Sequence, residues 1–160
     1  MTPDPNAPPG APTSPTSPTT TQRTRSTGRV VVFTGPKEGV VKSQVCLNLA
    51  LAWAGHQQNR SVLIVHLDTL CRQEISYFLN VTPPTVASLA QAVGKDAQIM
   101  AKLFKGRIPI SQWGVGVLPL ASKRSEVLKL APDSLGLILG SLSESYDLFL
   151  DVDPFFPMQM

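Results

Sequence analysis

The residues of this chain that could do chemistry lie in a loop between an apolar run and a helical repeat. Gly39, Lys42 and Ser43 follow the apolar run at residues 30–33, and Lys37 precedes them in the same loop. In a phosphate-binding loop, glycines let backbone N–H groups curl around an anion at a helix N-terminus. A lysine in such a loop reaches the outer phosphates, and the hydroxyl after it holds a magnesium ion. The spacing therefore predicts a site for nucleotide phosphates.

Three aspartates could lie next to this loop. Asp68 ends a second apolar run at residues 61–68, and Asp151 and Asp153 end a third run that begins at Tyr146. If these runs are parallel strands, their carboxyl ends meet at one crevice of the sheet. We therefore expect the crevice to collect the two lysines and Ser43 together with Asp68 and with Asp151 or Asp153.

Several segments resemble the MinD/ParA superfamily of P-loop NTPases. Residues 37–43, with Leu47-Asn48-Leu49-Ala50 behind them, resemble its deviant Walker A motif, K-G-G-x-G-K-S/T. Residues 146–154 resemble its Walker B segment, Y-D-x-x-x-x-D-x-P, and residues 115–119 resemble its G-L/V-x-V-L-P segment. The superfamily includes pilus-localisation proteins of the CpaE/TadZ kind and the cytoplasmic domains of bacterial tyrosine autokinases. The resemblance extends from about Arg29 to Pro154.

The resemblance implies a role for each matching residue. Lys37 would reach across to phosphates bound by a partner subunit, and Lys42 would neutralise the β- and γ-phosphates. Asp68 would orient the attacking water, so Lys37 and Asp68 would be the catalytic residues of an active enzyme. The implied cofactors are ATP and magnesium, with Lys37, Gly39, Lys42 and Ser43 as nucleotide-binding residues. The implied magnesium ligands are Ser43, Asp68, Asp151 and Asp153.

Four positions depart from the family pattern. Glu38 and Val41 replace glycines of the loop, His66 replaces a strand-end aspartate, and Val152 stands where the Walker B aspartate belongs. A carboxylate about 4 Å from a phosphate costs on the order of 4 kcal/mol. A positive φ at Val41 would add about 1–3 kcal/mol, whereas a micromolar site has only about 8 kcal/mol in total. We therefore expect weak or absent binding of ATP and magnesium, and hydrolysis only with an aspartate at Val152. At His66 we favour a half-buried neutral histidine bonded to backbone.

Two hypotheses remain open for the function. One is a working P-loop ATPase whose ATP-dependent dimer is a localisation switch. The other, which we favour, is a pseudo-ATPase that keeps the fold as a scaffold or localisation factor. Residues 68–93 and 114–119 favour the surface-appendage and polysaccharide-secretion branches over chromosome partition. Tyr77 and Tyr146 are the two tyrosines, which argues against an autokinase with a tyrosine cluster.

Composition indicates one folded domain behind a tail. Residues 1–28 are dominated by Pro, Thr and Ser, which predicts a disordered tail that is either a solubilising linker, as we favour, or a polyproline-type ligand. Residues 29–160 alternate strand and helix patterns, which predicts a doubly wound, mainly parallel sheet of the P-loop NTPase kind. The run at residues 29–33 is apolar on both faces and predicts a central strand. Because family members continue beyond the equivalent of Asp153, we expect a shortened sheet or one completed by another chain.

Charge and cysteine content limit the partners. The net charge is +3 and the basic residues are scattered, which argues against nucleic-acid binding. Cys46 and Cys71 are too few for a disulfide framework, which favours the cytoplasm. The sequence has no run of about 18 apolar residues, so recruitment to a membrane would be peripheral and through a partner. We expect protein partners, in a homodimer or a hetero-complex.

Overall fold

The computed structural model describes residues 27–37, 41–56, 60–93, 104 and 106–154. Most of the expected tail, the loop positions Glu38 and Gly39, and residues 155–160 lie outside these ranges. Among the described residues, no helix has the length and apolar character needed to cross a membrane.

Four strands form one sheet in which every neighbouring pair is parallel. The order in the sheet is β1-β4-β2-β3, where the strands are β1 Val30–Phe33, β2 Ser61–Leu67, β3 Val115–Pro119 and β4 Tyr146–Val152. The described helices lie between them in sequence: α1 Lys42–His56, α2 Glu74–Phe78, α3 Val86–Val93, α4 Arg124–Val127 and α5 Pro132–Ser143. The alternation of strands and helices around a parallel sheet confirms the predicted fold class.

Apolar side chains pack on both faces of the sheet. We call the two sides the α1 face and the α5 face. On the α1 face the buried cluster is Cys46, Leu47, Ala50, Val62, Ile64, Ile75, Leu79, Val115, Val117 and Phe149. On the α5 face the cluster includes Leu63, Val65, Leu67, Val86, Leu89, Ile138, Leu142, Leu148, Leu150 and Val152. Because side chains of a strand alternate, neighbouring residues of β2 and β4 belong to opposite clusters.

Helix α3 begins with a reciprocal pair of hydrogen bonds. The Ser88 backbone N–H donates to the Thr85 hydroxyl at 3.1 Å, and the Thr85 backbone N–H donates to the Ser88 hydroxyl at 3.0 Å. Both bonds satisfy backbone donors that a helix start leaves without partners. This cap fixes the start of α3, from which Val86 and Leu89 pack in the cluster on the α5 face.

Strand β1 lies at an edge of the sheet, so our prediction of a central strand is wrong. One side of it pairs with β4, and no described residue pairs with its other side. Val31 and Phe33 pack toward the α1 face, whereas Val30 and Val32 are 52% and 57% exposed. An apolar run indicates which residues prefer burial, but the strand order decides whether a covering layer is present.

The folded part of the chain includes Gly28, which composition had placed at the end of the tail. Its backbone N–H donates to the Ser143 carbonyl oxygen at 2.6 Å. A Cβ atom at this position would lie 1.9 Å from the Tyr146 carbonyl oxygen. The close approach requires glycine and connects the start of β1 to the end of α5.

Candidate functional site

The carboxyl ends of β2 and β4 border a cavity of about 310 Å³. Its lining residues are Lys37, Val41, Lys42, Ser43, Gln44, His66, Asp68, Arg72, Glu74, Asp153 and Pro154. Five of the residues that the sequence indicated therefore surround one space: Lys37, Lys42, Ser43, Asp68 and Asp153. Asp151 lies next to this group without lining the cavity, and Gly39 is outside the described residues.

The loop enters α1 through a residue with a left-handed backbone. Val41 has a φ of 57° and an exposed side chain, and its carbonyl oxygen accepts the first helical hydrogen bond from the Val45 N–H at 3.0 Å. A β-branched residue in this region of φ is a true outlier and costs about 1–3 kcal/mol. Val41 therefore has the positive φ for which we expected strain from the sequence.

The Lys42 ammonium forms an ion pair with the Asp151 carboxylate through Oδ1. Asp151 is fully buried, and it points toward the α1 face because it lies two residues after Phe149. Val152 points to the opposite side and belongs to the cluster on the α5 face. Our expectation that an aspartate at Val152 would serve hydrolysis is therefore wrong, since that carboxylate would point away from the loop and into apolar packing.

His66 lies beside Asp151 on the neighbouring strand. The two residues are register partners, and His66 Nε2 is 3.5 Å from Asp151 Oδ2. Burial lowers the pKa of His66, although the nearby Asp151 and Asp68 carboxylates act to raise it. The imidazole is buried, and its Nδ1 atom has no hydrogen-bond partner among the described residues. Our prediction of a half-buried histidine bonded to backbone is therefore wrong.

Asp68 organises the loop that follows β2. Its carboxylate accepts hydrogen bonds from the backbone N–H groups of Leu70 and Arg72, both at 2.9 Å. The Arg72 guanidinium adds bonds from Nε at 2.9 Å and from Nη2 at 3.4 Å. Burial alone would raise the pKa of Asp68, but these hydrogen bonds outweigh it and hold the pKa below its ordinary value. Both oxygens of Asp68 are thus used by the protein itself.

Asp153 connects the end of β4 to the same loop. Its Oδ2 atom accepts hydrogen bonds from the Thr69 hydroxyl at 2.8 Å and from the Thr69 backbone N–H at 3.3 Å. Its own backbone N–H donates to the Leu67 carbonyl oxygen at 3.2 Å. The carboxylate therefore holds two strand ends together at the edge of the cavity.

ATP and magnesium each require particular partners at this cavity. Its lining has three cationic side chains and three carboxylates, so the formal charges cancel, and the N-terminus of α1 adds a partial positive charge that suits an anion. However, Lys42 is paired with Asp151, and the Asp68 and Asp153 carboxylates are bonded to protein donors. In nucleotide sites magnesium is bound by one or two protein oxygens together with phosphates and water, and here both candidate carboxylates at the cavity already accept bonds from protein donors. In this arrangement Lys42 and at least one aspartate must change partners before a nucleotide with its metal can bind.

Two features of the site were missed by reasoning from sequence. Arg72 lines the cavity and bonds to Asp68. Its position four residues after Asp68, which follows the end of β2, could have indicated this pair. The second is a buried carboxylate at the other end of β4. Asp147 accepts hydrogen bonds from Trp53 Nε1 and from the Arg29 backbone N–H, both at 2.9 Å, and thereby links α1 to the start of β1.

Comparisons with known proteins identify the fold. A scan against protein-family models found no match, and neither did a search of curated protein sequences. Among solved structures, a ParA family ATPase from Chlorobium tepidum TLS superposes with a TM-score of 0.62 at 16% identity, over 80% of this chain and 52% of that chain. The kinase domain of Escherichia coli tyrosine kinase ETK gives 0.60 at 22% identity, over 82% and 49%.

A plasmid partition protein from Borrelia burgdorferi gives a TM-score of 0.52 at 17% identity, over 81% of this chain and 57% of that chain. The chain therefore has the fold of the MinD/ParA-type P-loop NTPases, as the sequence motifs predicted. It spans about half the length of the solved structures that it matches.

Proposed function

We propose that this chain is a degenerate MinD/ParA-like P-loop domain, a pseudo-ATPase that acts as a scaffold or localisation factor through protein–protein contacts. One observation carries the proposal: the groups that would receive phosphate and magnesium already bind to other groups of the protein. Lys42 pairs with Asp151, Asp68 holds its own loop, and Asp153 holds Thr69. Because Lys42, Asp68 and Asp153 already have protein partners, a ligand must replace these bonds and cannot simply add to them.

The buried ion pair supports the same conclusion. Strain of about 1–3 kcal/mol at Val41 is already present in the fold, so it lowers the stability of the fold and does not count against the binding of a nucleotide. Occupation by a nucleotide, however, must draw Lys42 away from Asp151, which would leave a fully buried carboxylate without its cation. We therefore expect the unmodified chain to bind ATP and magnesium weakly or not at all.

The edge of the sheet at β1, which no described residue covers, supports a role in protein contacts. The strand β1 contains no charged residue and no proline, and edges of this kind readily pair with a strand of another chain. Val30 and Val32 lie exposed beside that edge. The partner in this proposal is a second copy of the chain or another protein in a cell-envelope secretion or appendage machinery.

The machinery and the cytoplasmic location in this proposal follow from the family resemblance and from the two cysteines. The sequence resembles the CpaE/TadZ and tyrosine-autokinase branches, and the ETK kinase domain has a similar fold. Cys46 and Cys71 are both free thiols, which suits a reducing compartment.

A calorimetric titration with a non-hydrolysable ATP analogue and magnesium tests the loss of nucleotide binding. We expect the unmodified chain to bind with a Kd of about 1 mM or weaker. The double variant Glu38→Gly with Val41→Gly should bind measurably more tightly than the unmodified chain, because it removes a carboxylate from a loop that already contains Lys37, Lys42 and Ser43. A Kd below about 10 μM for the unmodified chain would contradict the proposal.

A working ATPase is the second candidate, and one observation favours it. Lys37, Lys42, Ser43, Asp68 and Asp153 line the same cavity, which is the constellation that the family resemblance implies. For this candidate to hold, nucleotide binding must rearrange the Lys42 pair and free at least one aspartate for magnesium. Tight binding in the same titration, together with ATP turnover, would support it over the scaffold.

A further inference from the structure

We propose that the Asp151 carboxylate takes the place of a phosphate at the Lys42 ammonium, so that polyphosphates enter the cavity only when this ion pair opens. The inference deepens the proposed function and rests on it, because it names the contact that keeps the loop empty. It concerns Asp151 and Lys42 themselves and is separate from the strain at Val41.

The burial of the pair shows why it would be difficult to open. Asp151 has no exposed surface and the Lys42 side chain is 14% exposed. Across the sheet Asp151 lies between Phe33 on β1 and His66 on β2, which are its register partners. An ionised carboxylate in such a place requires a cation, and removing one partner of a buried pair is strongly unfavourable. The ammonium of Lys42 is the cation that contacts it.

The second oxygen of the carboxylate provides little further support. Asp151 Oδ2 lies 3.5 Å from His66 Nε2 and has no hydrogen-bond donor among the described residues. Charge compensation of Asp151 therefore depends mainly on Lys42. A phosphate group that attracts Lys42 competes directly with this carboxylate, and Lys37 and Arg72 also line the cavity that the phosphate would enter.

The same strand offers a matched control. Asp147 lies four residues before Asp151 on β4, points to the same face and is also buried. Its carboxylate bonds to Trp53 and to the Arg29 backbone, and it does not line the cavity. Asp147→Asn thus removes the same charge from the same strand without affecting Lys42.

The experiment compares polyphosphate binding among these variants. The unmodified chain, Asp151→Asn and Asp147→Asn are titrated calorimetrically with inorganic pyrophosphate and with a non-hydrolysable ATP analogue. We expect Asp151→Asn to bind at least about tenfold more tightly than the unmodified chain, and Asp147→Asn to stay within about twofold of it. Adding Lys42→Gln to Asp151→Asn should abolish the gain, because the released ammonium is the group that binds the phosphate.

Each outcome has a defined meaning. Weak binding by the unmodified chain with a gain in Asp151→Asn supports the inference. Weak binding by both overturns the inference and leaves the proposed function standing, whereas tight binding by the unmodified chain overturns both. A gain of equal size in Asp147→Asn would show that the tighter binding comes from the change in net charge, and it would also overturn the inference. Thermal melts verify folding, and Asp151→Ser replaces Asp151→Asn if the latter does not fold.

A measurement on the unmodified chain tests the same point without any variant. Acetylation followed by mass spectrometry reports how readily each lysine reacts. If the pair is closed, about 1 mM pyrophosphate should leave the acetylation rate of Lys42 unchanged. Protection of Lys42 by pyrophosphate at that concentration would overturn the inference.

Discussion

Val41 combines a β-branched side chain with a backbone φ of 57°, immediately before the lysine of the loop. We expect Val41→Gly to stabilise the protein by about 0.5–2 kcal/mol, since relief of roughly 1–3 kcal/mol of strain outweighs the entropy cost of glycine. Urea denaturation measures the change. Val45→Gly, at an exposed position within α1, is the control and should destabilise by about 0.5–1 kcal/mol. A loss of stability in Val41→Gly would show that the left-handed backbone is not strained.

His66 makes the stability of the fold depend on pH. Burial lowers its pKa below the ordinary value of 6.5, so the unfolded chain takes up a proton before the folded chain does. Stability is therefore complete above about pH 6.5 and falls as the pH drops toward the folded-state pKa. Asp68 acts in a lower range, because its pKa is held below the ordinary value of 3.8 and its contribution is lost only as the pH falls through that lowered pKa.

Thermal melts from pH 8 to pH 5 test the assignment to His66. The unmodified chain should lose melting temperature across this range, and His66→Gln should reduce the slope. His56→Gln, at an exposed position near the end of α1, is the control and should retain the slope. An unchanged slope in His66→Gln would assign the pH dependence to another group.

At the scale of elements, the sequence predicted the strands and the helix whose signals are local in the chain. The apolar runs predicted β2, β3 and β4, and the loop with its helical repeat predicted α1, because each signal lies within a few consecutive residues. The edge position of β1 depends on pairing with β4, which is distant in sequence. The face to which Asp151 points follows from alternation along β4, whereas alignment to a motif had directed attention to Val152. The internal bonding of Asp68 depends on a loop turn with a positive φ at Cys71, which no pattern signals.

The junction between β1 and α5 depends on a single glycine. Gly28→Ala should destabilise the fold by about 1–3 kcal/mol or more, because the new Cβ atom would lie 1.9 Å from the Tyr146 carbonyl oxygen. Gly55→Ala is the matched control. It has open space around it and lies in α1, so it should be neutral or stabilising by up to about 1 kcal/mol.

Deletion of residues 1–26 tests whether the chain before this junction contributes to stability. This truncation retains Gly28 and should leave the melting temperature within about 2 °C, because the composition of the tail offers no core residues. Differential scanning calorimetry compares Gly28→Ala, Gly55→Ala and the truncated protein with the unmodified chain. A drop of more than about 5 °C on truncation would show that the tail docks on the domain.

At the scale of the whole molecule, the two edges of the sheet differ. The outer side of β3 is covered by the chain's own segment, since Ile110 forms an antiparallel bridge with Gly116 and the Ser111 N–H donates to the Val115 carbonyl oxygen at 2.9 Å. No described residue covers the outer side of β1. The valines that face the α5 side of β1 are also exposed, so a partner that adds a strand there could bury backbone and side chains together.

This asymmetry predicts association through β1, as a homodimer or with another protein. Analytical ultracentrifugation of the purified chain should show self-association at high micromolar concentration, or a pull-down from the native host should recover a partner. Val32→Lys should weaken the association, because it places a charge beside the exposed edge. Leu128→Lys, at a position that is 83% exposed directly after α4, is the control for added charge and should retain the association. A monomer at high micromolar concentration with no recovered partner would contradict a role for β1, and an equal loss in both variants would assign the effect to net charge.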